Sequence, residues 1–174
     1  MNTSEKLYSV SKEEYGGEYN SHVIEIYKLY VEMADRISTR RQSANSFFLS
    51  INTAIVAIVG YVHLGQKASE AIDFYWVVGL AGVALCYTWY RLIRSYRGLN
   101  SGKFKVIHEI EKQLPLSPYN AEWEVIGRGK DSKLYLPFTR VETAVPWVFL
   151  ALHLLVVINA MTWKIIGALL TNTP

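Results

Sequence analysis

Residues 44–64 read ANSFFLSINTAIVAIVGYVHL and contain no Asp, Glu, Lys or Arg. Two further blocks, residues 74–90 and 143–163, also lack these charged residues. A helix on the surface of a soluble protein carries charge on the side that faces water, whereas each of these blocks has the length that crosses about 30 Å of hydrocarbon. The alternative is a soluble bundle, but 174 residues cannot enclose three uncharged helices on all sides. The sequence therefore predicts an all-α integral membrane protein with three transmembrane helices.

The three blocks divide the chain into membrane-spanning and flanking segments. We predict flanking segments at 1–43, 65–73, 93–143 and 167–174, and spans at 44–64, 74–92 and 144–166. Arginines lie before the first span, at the end of the second span and before the third, at Arg36, Arg40, Arg41, Arg91, Arg94, Arg97 and Arg140. Because basic residues near span ends remain in the cytoplasm, we expect the N-terminus and 93–143 there, with 65–73 and the C-terminus outside.

The segment before the first span has the pattern of an amphipathic helix. No glycine or proline lies between Gly17 and Gly60, so one helix should run from about Tyr19 through the first span. Apolar side chains recur at steps of three and four residues, and one face therefore carries Ile26, Tyr27, Tyr30, Ala34 and Ile37. We predict that a neighbouring subunit or the other cytoplasmic helices cover this face. The competing interpretation, a helix lying on the lipid surface, is disfavoured by the few bulky anchors on this face and the acidic opposite face.

A small helical segment is predicted between the second and third spans. Asn100 or Ser101 is suited to begin a helix that Pro115 terminates, and a second, short helix should cover Ala121–Ile126. Residues 133–138 alternate in polarity, which indicates a short strand or an extended tether.

The third long helix has a start signal of its own. Thr139-Arg140-Val141-Glu142 has the spacing of a capping box, in which the first and fourth side chains bond the free backbone N–H groups of a helix start. Pro146 follows in the second turn, and we expect it to bend this helix.

Several polar side chains interrupt the spans. The first span carries Asn45, Ser46, Asn52 and Thr53, and the third carries His153 and Asn159. Polar groups in lipid find partners, so these side chains should face other helices or water. They either form hydrogen bonds between helices or line a pore. Gly79 and Gly82 in the second span should allow another helix to approach closely.

Motifs for catalysis, metals or nucleotides are missing from the sequence. The four histidines, at positions 22, 63, 108 and 153, have no metal-ligand spacing, and Cys86 is the single cysteine. The stretch Gly127-Arg128-Gly129-Lys130 is followed by Asp131, where a phosphate loop needs Ser or Thr. A net charge of +3 is too small to indicate nucleic-acid binding. We therefore expect no catalytic residue, no cofactor, no metal and no nucleic-acid partner.

Three stretches of the sequence resemble a known family. They are 27–36 (YKLYVEMADR) with 40–48 (RRQSANSFF); 103–107 (KFKVI) with Leu114-Pro115 and Glu122-Trp123; and the set Tyr135, Pro137, Thr139 and Pro146. Together they resemble the RipA family of small octameric bacterial inner-membrane proteins. The resemblance implies a homo-octamer in the bacterial inner membrane. The chain is also similar, more loosely, to the SLATT class of small membrane effectors, which are thought to form pores.

These observations favour a homo-oligomeric protein of the bacterial inner membrane that is not an enzyme. Its expected partners are the lipid bilayer, further copies of itself and a cytoplasmic protein. Such a protein would organise a membrane complex or dock that cytoplasmic partner. The alternative is a pore or channel-like effector formed by the oligomer, with the polar side of the first span as its lining.

Overall fold

The computed structural model of the chain describes residues 7–65, 72–131, 133–135 and 138–171. Its helices are α1 (Lys12–Tyr15), α2 (Tyr19–Gly65), α3 (Ile72–Glu111), α4 (Pro118–Val125) and α5 (Phe138–Thr171), and a short 3₁₀ turn covers Gly127–Gly129. This described part contains helices and no strands. Three of the helices are long and apolar enough to cross a membrane: α2, α3 and the stretch Val141–Ile165 of α5. The predicted all-helical fold with three candidate spans is thus confirmed.

The helix α2 begins and continues as its sequence predicts. It starts at Tyr19 and runs without interruption to Gly65, through the whole of the first apolar block. Since the chain between Gly17 and Gly60 holds neither proline nor glycine, no residue in it disfavours helical dihedral angles strongly.

The predicted helix start at Asn100 or Ser101 is wrong. Both residues lie inside α3, which continues from the second apolar block to Glu111 without a break. The physical reason is that α3 contains no proline, and its Gly98 and Gly102 each cost a helix only about 1 kcal/mol. A cost of this size does not end a helix whose flanking residues favour the same conformation.

The predicted strand or extended tether at 133–138 is not found in its described part. Residues 133–135 form a turn in which Asp131 accepts three hydrogen bonds, to its carbonyl oxygen from the N–H groups of Leu134 and Tyr135 and to its carboxylate from that of Lys133. Residues 136 and 137 lie outside the described part. The helix α5 begins at Phe138, one residue before the predicted start at Thr139. Pro146 lies within α5, and the bend predicted there stays a prediction.

The chain separates into two compact units, each built from two stretches of sequence. The polar unit contains the described residues of Met1–Gln42 and Arg94–Phe138, and the apolar unit contains those of Ser43–Ile93 and Thr139–Pro174. The helices α2 and α3 contribute residues to both units.

The apolar unit has two buried clusters along its helices. In the first, the rings of Phe48 and Trp89 stack with their centroids 5.8 Å apart, and Ile93 packs beside them. The second is centred on Tyr75 and Ala160. Two glycines of α3 meet α5 closely, since a Cβ atom on Gly79 would lie 2.5 Å from Val157 Cγ2 and one on Gly82 would collide with the ring of His153. The close helix approach predicted at these glycines is therefore present.

The polar unit is held together by α2 packed beside the last turns of α3. Ala34 and Ile37 of α2 are buried, as are Ile107 and Ile110 of α3. The N-terminal residues join this packing through the hydroxyl of Tyr8, which donates to the carbonyl oxygen of Glu109 at 3.1 Å.

Candidate functional site

A buried polar cluster joins the three helices of the apolar unit. Its centre is Asn52 of α2, whose side-chain oxygen lies 2.9 Å from Nε2 of His153 in α5. The same oxygen accepts a hydrogen bond from Sγ of Cys86 in α3 at 3.3 Å. The side-chain nitrogen of Asn52 donates to the carbonyl oxygen of Phe48 at 2.8 Å. All the hydrogen-bonding groups of this amide except one N–H therefore have a partner inside the protomer.

A second polar contact lies one heptad earlier on α2. The indole N–H of Trp89 donates to the side-chain oxygen of Asn45 at 2.8 Å. Asn45 and Asn52 are seven residues apart and lie on the same side of the helix, which turns both towards α3. The structure thus places both asparagines, together with His153, in hydrogen bonds between helices.

The remaining polar residues proposed for the spans are exposed on the protomer. Ser46, Thr53 and Asn159 all have exposed side chains. The hydroxyl of Thr53 donates to the carbonyl oxygen of Leu49 at 2.8 Å, which satisfies the hydroxyl inside its own helix. The six candidate residues therefore divide into Asn45, Asn52 and His153, which bond between helices, and Ser46, Thr53 and Asn159, which are exposed on a single protomer; Asn52 and His153 are buried and Asn45 is half-buried.

The face of α2 proposed as the oligomer contact is largely covered within the polar unit. Ala34 and Ile37 are buried, Tyr27 bonds the carboxylate of Glu111, and Lys103 Nζ lies 4.6 Å from the ring centroid of Tyr30. Ile26 remains 47% exposed. The sequence left open whether a neighbouring subunit or helices of the same chain cover this face. In the structure, helices of the same chain cover most of it. Contact with a neighbouring subunit stays a prediction, and Ile26 is the side chain most available for it.

A buried carboxylate organises the polar unit, and sequence reasoning missed it. Glu111, the last residue of α3, is only 1% exposed. Its carboxylate accepts hydrogen bonds from the backbone N–H of Tyr119 at 2.9 Å and of Asn120 at 3.0 Å, and from the hydroxyl of Tyr27 at 3.1 Å. The two N–H groups belong to the first turn of α4, where a helix has unpaired donors and favours negative charge. Glu111 thus fixes α4 to the helix pair formed by α2 and α3.

The packing of the polar unit raises the pKa values of two tyrosines, Tyr27 and Tyr8. Burial, together with the hydrogen bond to Glu111 and the charge of that residue, raises the pKa of Tyr27 to about 12. Burial also raises the pKa of Tyr8, with the nearby Tyr19 and Glu109 acting in the same direction. Both hydroxyls therefore stay protonated over the physiological range and act as hydrogen-bond donors.

A metal centre has no candidate in the part of the chain that the structure covers. No group of three His, Cys, Asp or Glu side chains there is close enough to hold an ion. The single cysteine, Cys86, is buried and hydrogen-bonded to Asn52.

Comparison with known protein families gives a match over most of the chain. Residues 24–162 match the model of a family described as the octameric membrane protein family (8xMP). No curated protein and no solved structure matches the chain. The matched stretch contains all three candidate spans of the apolar unit almost completely, together with the Glu111 cluster of the polar unit.

Proposed function

Because the chain belongs to the octameric membrane protein family, we propose that it is a non-catalytic structural subunit. Its octamer would organise a membrane complex or dock a cytoplasmic protein. The observation that carries this proposal is an apolar face of α2 that the polar unit leaves partly exposed, with the sulfur of Met33 lying 3.7 Å from Lys103 Nζ. Ile26, Leu29 and Met33 are 47%, 52% and 37% exposed and lie three or four residues apart. This set is named the outer face below.

The outer face lies beside the covered face of the same helix. Its spacing places its three side chains on one side of α2, next to the side that carries the buried Ala34 and Ile37. One side of the helix is thus used within the protomer, and the other is free to contact a second copy. A family of octamers requires contacts of this kind between identical subunits.

Native mass spectrometry of the purified complex tests the outer face. The double variant Ile26→Ser with Leu29→Ser should dissociate into smaller species, because it removes apolar area from the subunit contact and adds no charge. The matched control, Glu25→Ser with Lys28→Ser, changes two exposed residues on the same helix and should remain octameric. An intact octamer in the first variant would show that the outer face is not a subunit contact.

We also propose an orientation of the assembly, which its arginines support. Arg36, Arg40 and Arg97 are exposed residues of the polar unit. By the positive-inside rule we place this unit in the cytoplasm of a bacterium and the apolar unit in its inner membrane. A cysteine introduced at exposed Lys105 should then resist a membrane-impermeant thiol reagent in intact cells, and one at exposed Leu64 should react.

We propose that a cytoplasmic protein docks on the polar unit near α4. This docking is supported by apolar side chains of the polar unit that lie outside α2. Leu116 and Val125 are largely exposed, and Trp123 is partly so. These side chains flank or belong to α4, the helix that Glu111 holds in place.

A pore formed by the octamer is the second candidate function. The observation in its favour is that Ser46, Ser50 and Thr53, which are small polar residues of the first span, stay exposed after the protomer has packed. They recur at steps of four and three residues and so share one face of α2. In an octamer this face would either contact a neighbour or line a water-filled axis.

Ion flux through liposomes containing the purified octamer tests the pore. Ser46→Leu with Thr53→Leu should reduce the flux if this face lines the axis. The control, Leu49→Ile, changes an exposed apolar residue of the same span and should leave the flux unchanged. Liposomes that pass no ions with the unaltered protein would contradict the pore.

A further inference from the structure

A histidine lies in the middle of the third charge-free block and is enclosed by protein. His153 of α5 is only 1% exposed. Nε2 of its ring lies 2.9 Å from the side-chain oxygen of Asn52 in α2. The ring also packs directly on Gly82 of α3, where a Cβ atom would come within 2.3, 2.4 and 2.5 Å of three ring atoms. The helices α2 and α3 therefore both contact the ring, and it is shielded from water.

The surroundings of His153 offer no charge that could compensate a positive ring. Residues 44–64, 74–90 and 143–163 contain no Asp, Glu, Lys or Arg. The groups that contact the ring or share its acceptor are Asn52 of α2 and Gly82 and Cys86 of α3. Of these three, only the Cys86 thiol titrates, and a cysteine thiol is neutral in acid. A proton taken up by His153 would therefore add an uncompensated charge to the apolar unit.

The packed arrangement suits the neutral form of the ring. Because the side-chain oxygen of Asn52 is an acceptor, Nε2 of His153 carries the single ring proton and Nδ1 carries none. A second proton, on Nδ1, would convert the ring into an imidazolium ion. An isolated charge held away from water is very costly in free energy. The charged ring can regain water only if α5 moves away from α2 and α3.

We propose that His153 is a proton-sensitive latch of the apolar unit. The neutral ring joins α5 to α2 and α3, and protonation in acid opens this contact so that the charged ring reaches water. Ionisable side chains inside membrane spans are rare and commonly functional, because an apolar side chain would fill the same space at less cost. The latch consists of contacts within one protomer, so it does not depend on which face of α2 forms the octamer.

The direction of the pH dependence follows from where the proton binds. In the open protomer the ring is in water and takes up its proton near pH 6.5, as an ordinary histidine does. The closed protomer excludes this proton, so closing is most favoured above that pH. Each pH unit below it favours opening by a further factor of up to about ten. Between pH 7.5 and pH 5.0 the open fraction should therefore rise about 30-fold.

Cys86 reports the opening, since it is the single cysteine of the chain and lies buried against Asn52. The full-length octamer in mild detergent is treated with 4,4′-dithiodipyridine, which reacts with thiols in acid as well as at neutral pH. The rate for the denatured protein at the same pH, divided by the rate for the folded protein, gives the protection of Cys86. This ratio removes the effect of pH on the thiol itself. Protection should fall about 30-fold from pH 7.5 to pH 5.0.

Two variants and one control make the result specific to His153. His153→Gln keeps a donor for Asn52 but takes up no proton, so its protection should be nearly the same at both pH values. Asn52→Asp places a carboxylate beside the ring, and an opposite charge stabilises the imidazolium ion. Its protection should also stay nearly constant, and this variant tests the latch even if His153→Gln fails to fold. The control is His63→Gln, which removes an exposed histidine of α2 and should keep the full fall.

Equal protection of Cys86 at the two pH values in the unaltered protein would overturn the proposal. A fall in His153→Gln as large as that in the unaltered protein would also overturn it, because another group would then carry the pH dependence.

Discussion

The imidazole Nε2 of His153 lies 2.9 Å from the side-chain oxygen of Asn52, although 101 positions separate the two residues in the chain. Because this oxygen also accepts from Cys86, a single amide links α2, α3 and α5. With Asn52 as the acceptor, Nε2 of His153 carries the ring proton. The helices of the apolar unit are thus joined by a directional contact that fixes their rotation about their own axes.

Replacing Asn52 should destabilise the apolar unit. In Asn52→Leu, the ring of His153 and the thiol of Cys86 lose their acceptor, and both side chains are buried. We expect the free energy of unfolding to fall by about 1–2 kcal/mol, the range for buried polar groups left without partners and for hydrogen bonds in membranes. Unfolding in increasing concentrations of sodium dodecyl sulfate, followed by tryptophan fluorescence, measures this change.

The matched control for Asn52 is Thr53→Val, at the next residue of the same helix. The hydroxyl of Thr53 bonds only within α2 and its side chain is exposed, so its loss should change the stability little. If Asn52→Leu were as stable as the unaltered protein, the hydrogen bonds to Asn52 would contribute nothing to the packing of the helices.

Enlarging Gly82 should also destabilise the apolar unit, for a steric reason. A Cβ atom at this position would occupy the space of the His153 ring, so Gly82→Ala must displace the ring or separate α3 from α5. Overpacking of this kind costs about 1–3 kcal/mol. Thermal unfolding of the purified octamer measures the change.

A double-mutant cycle identifies the partner of Gly82. Combining Gly82→Ala with His153→Ala should cost less than the sum of the single changes, because the smaller side chain removes the collision. Gly60→Ala is the control, since a Cβ atom there meets nothing within 4 Å. Additive effects of the two changes would contradict a direct contact between Gly82 and His153.

The features that could be predicted correctly from the sequence depend on short, continuous stretches of the chain. The spans follow from the lack of charge, and the length of α2 follows from the lack of glycine and proline between Gly17 and Gly60. Asn45 and Asn52 are seven residues apart, and this spacing puts both asparagines on one face of α2. Their partners depend on which helices meet, however, and no spacing in the sequence pairs Asn52 with His153.

The errors arose where weak local signals opposed a longer regular element. Asn100 and Ser101 are favourable residues for a helix start, but both lie in the interior of α3, where the preceding residues are already in the helix. Glu111 was missed because its hydrogen-bond donors belong to two separate segments of the chain. They are the side chain of Tyr27 and the backbone of the first turn of α4. The signal available in the sequence was a glutamate seven residues before Pro118, a residue that suits the first turn of a helix.

Removing the carboxylate of Glu111 should release α4 from the polar unit. In Glu111→Ala, the N–H groups of Tyr119 and Asn120 lose their acceptor, and hydrogen bonds to a charged group contribute about 1.5–3 kcal/mol. We therefore expect the amides of these two residues to exchange with deuterium faster by an order of magnitude or more. Hydrogen exchange followed by mass spectrometry measures this protection.

The control for Glu111 lies on α4 itself. Glu122→Ala removes an exposed carboxylate from that helix and should leave the exchange of Tyr119 and Asn120 unchanged. Glu111→Gln keeps one acceptor oxygen without the charge, so it should give an intermediate rate. Equal protection in Glu111→Ala and the unaltered protein would show that α4 is held by other contacts.

The stability of the polar unit should decrease in alkaline solution because of Tyr27. Its pKa rises from the ordinary value of 10.0 to about 12 in the folded protein, mainly through burial and then through the hydrogen bond to Glu111. The folded state therefore holds this proton more tightly than the unfolded state does. The resulting stabilisation is fully present below pH 10 and is lost as the pH rises from 10 towards 12.

Tyr27→Phe separates this contribution from other alkaline effects. The variant should be less stable than the unaltered protein at neutral pH by about 1 kcal/mol, since Glu111 loses a donor. The difference should shrink between pH 10 and pH 12, because the unfolded state of the unaltered protein loses the Tyr27 proton in this range while the folded state keeps it, and the variant has no such proton. Tyr61→Phe, which removes the hydroxyl of a largely exposed residue, should follow the unaltered protein throughout. A difference between Tyr27→Phe and the unaltered protein that stayed constant across this range would mean that Tyr27 binds its proton equally well in the folded and unfolded states, and that burial and Glu111 do not raise its pKa.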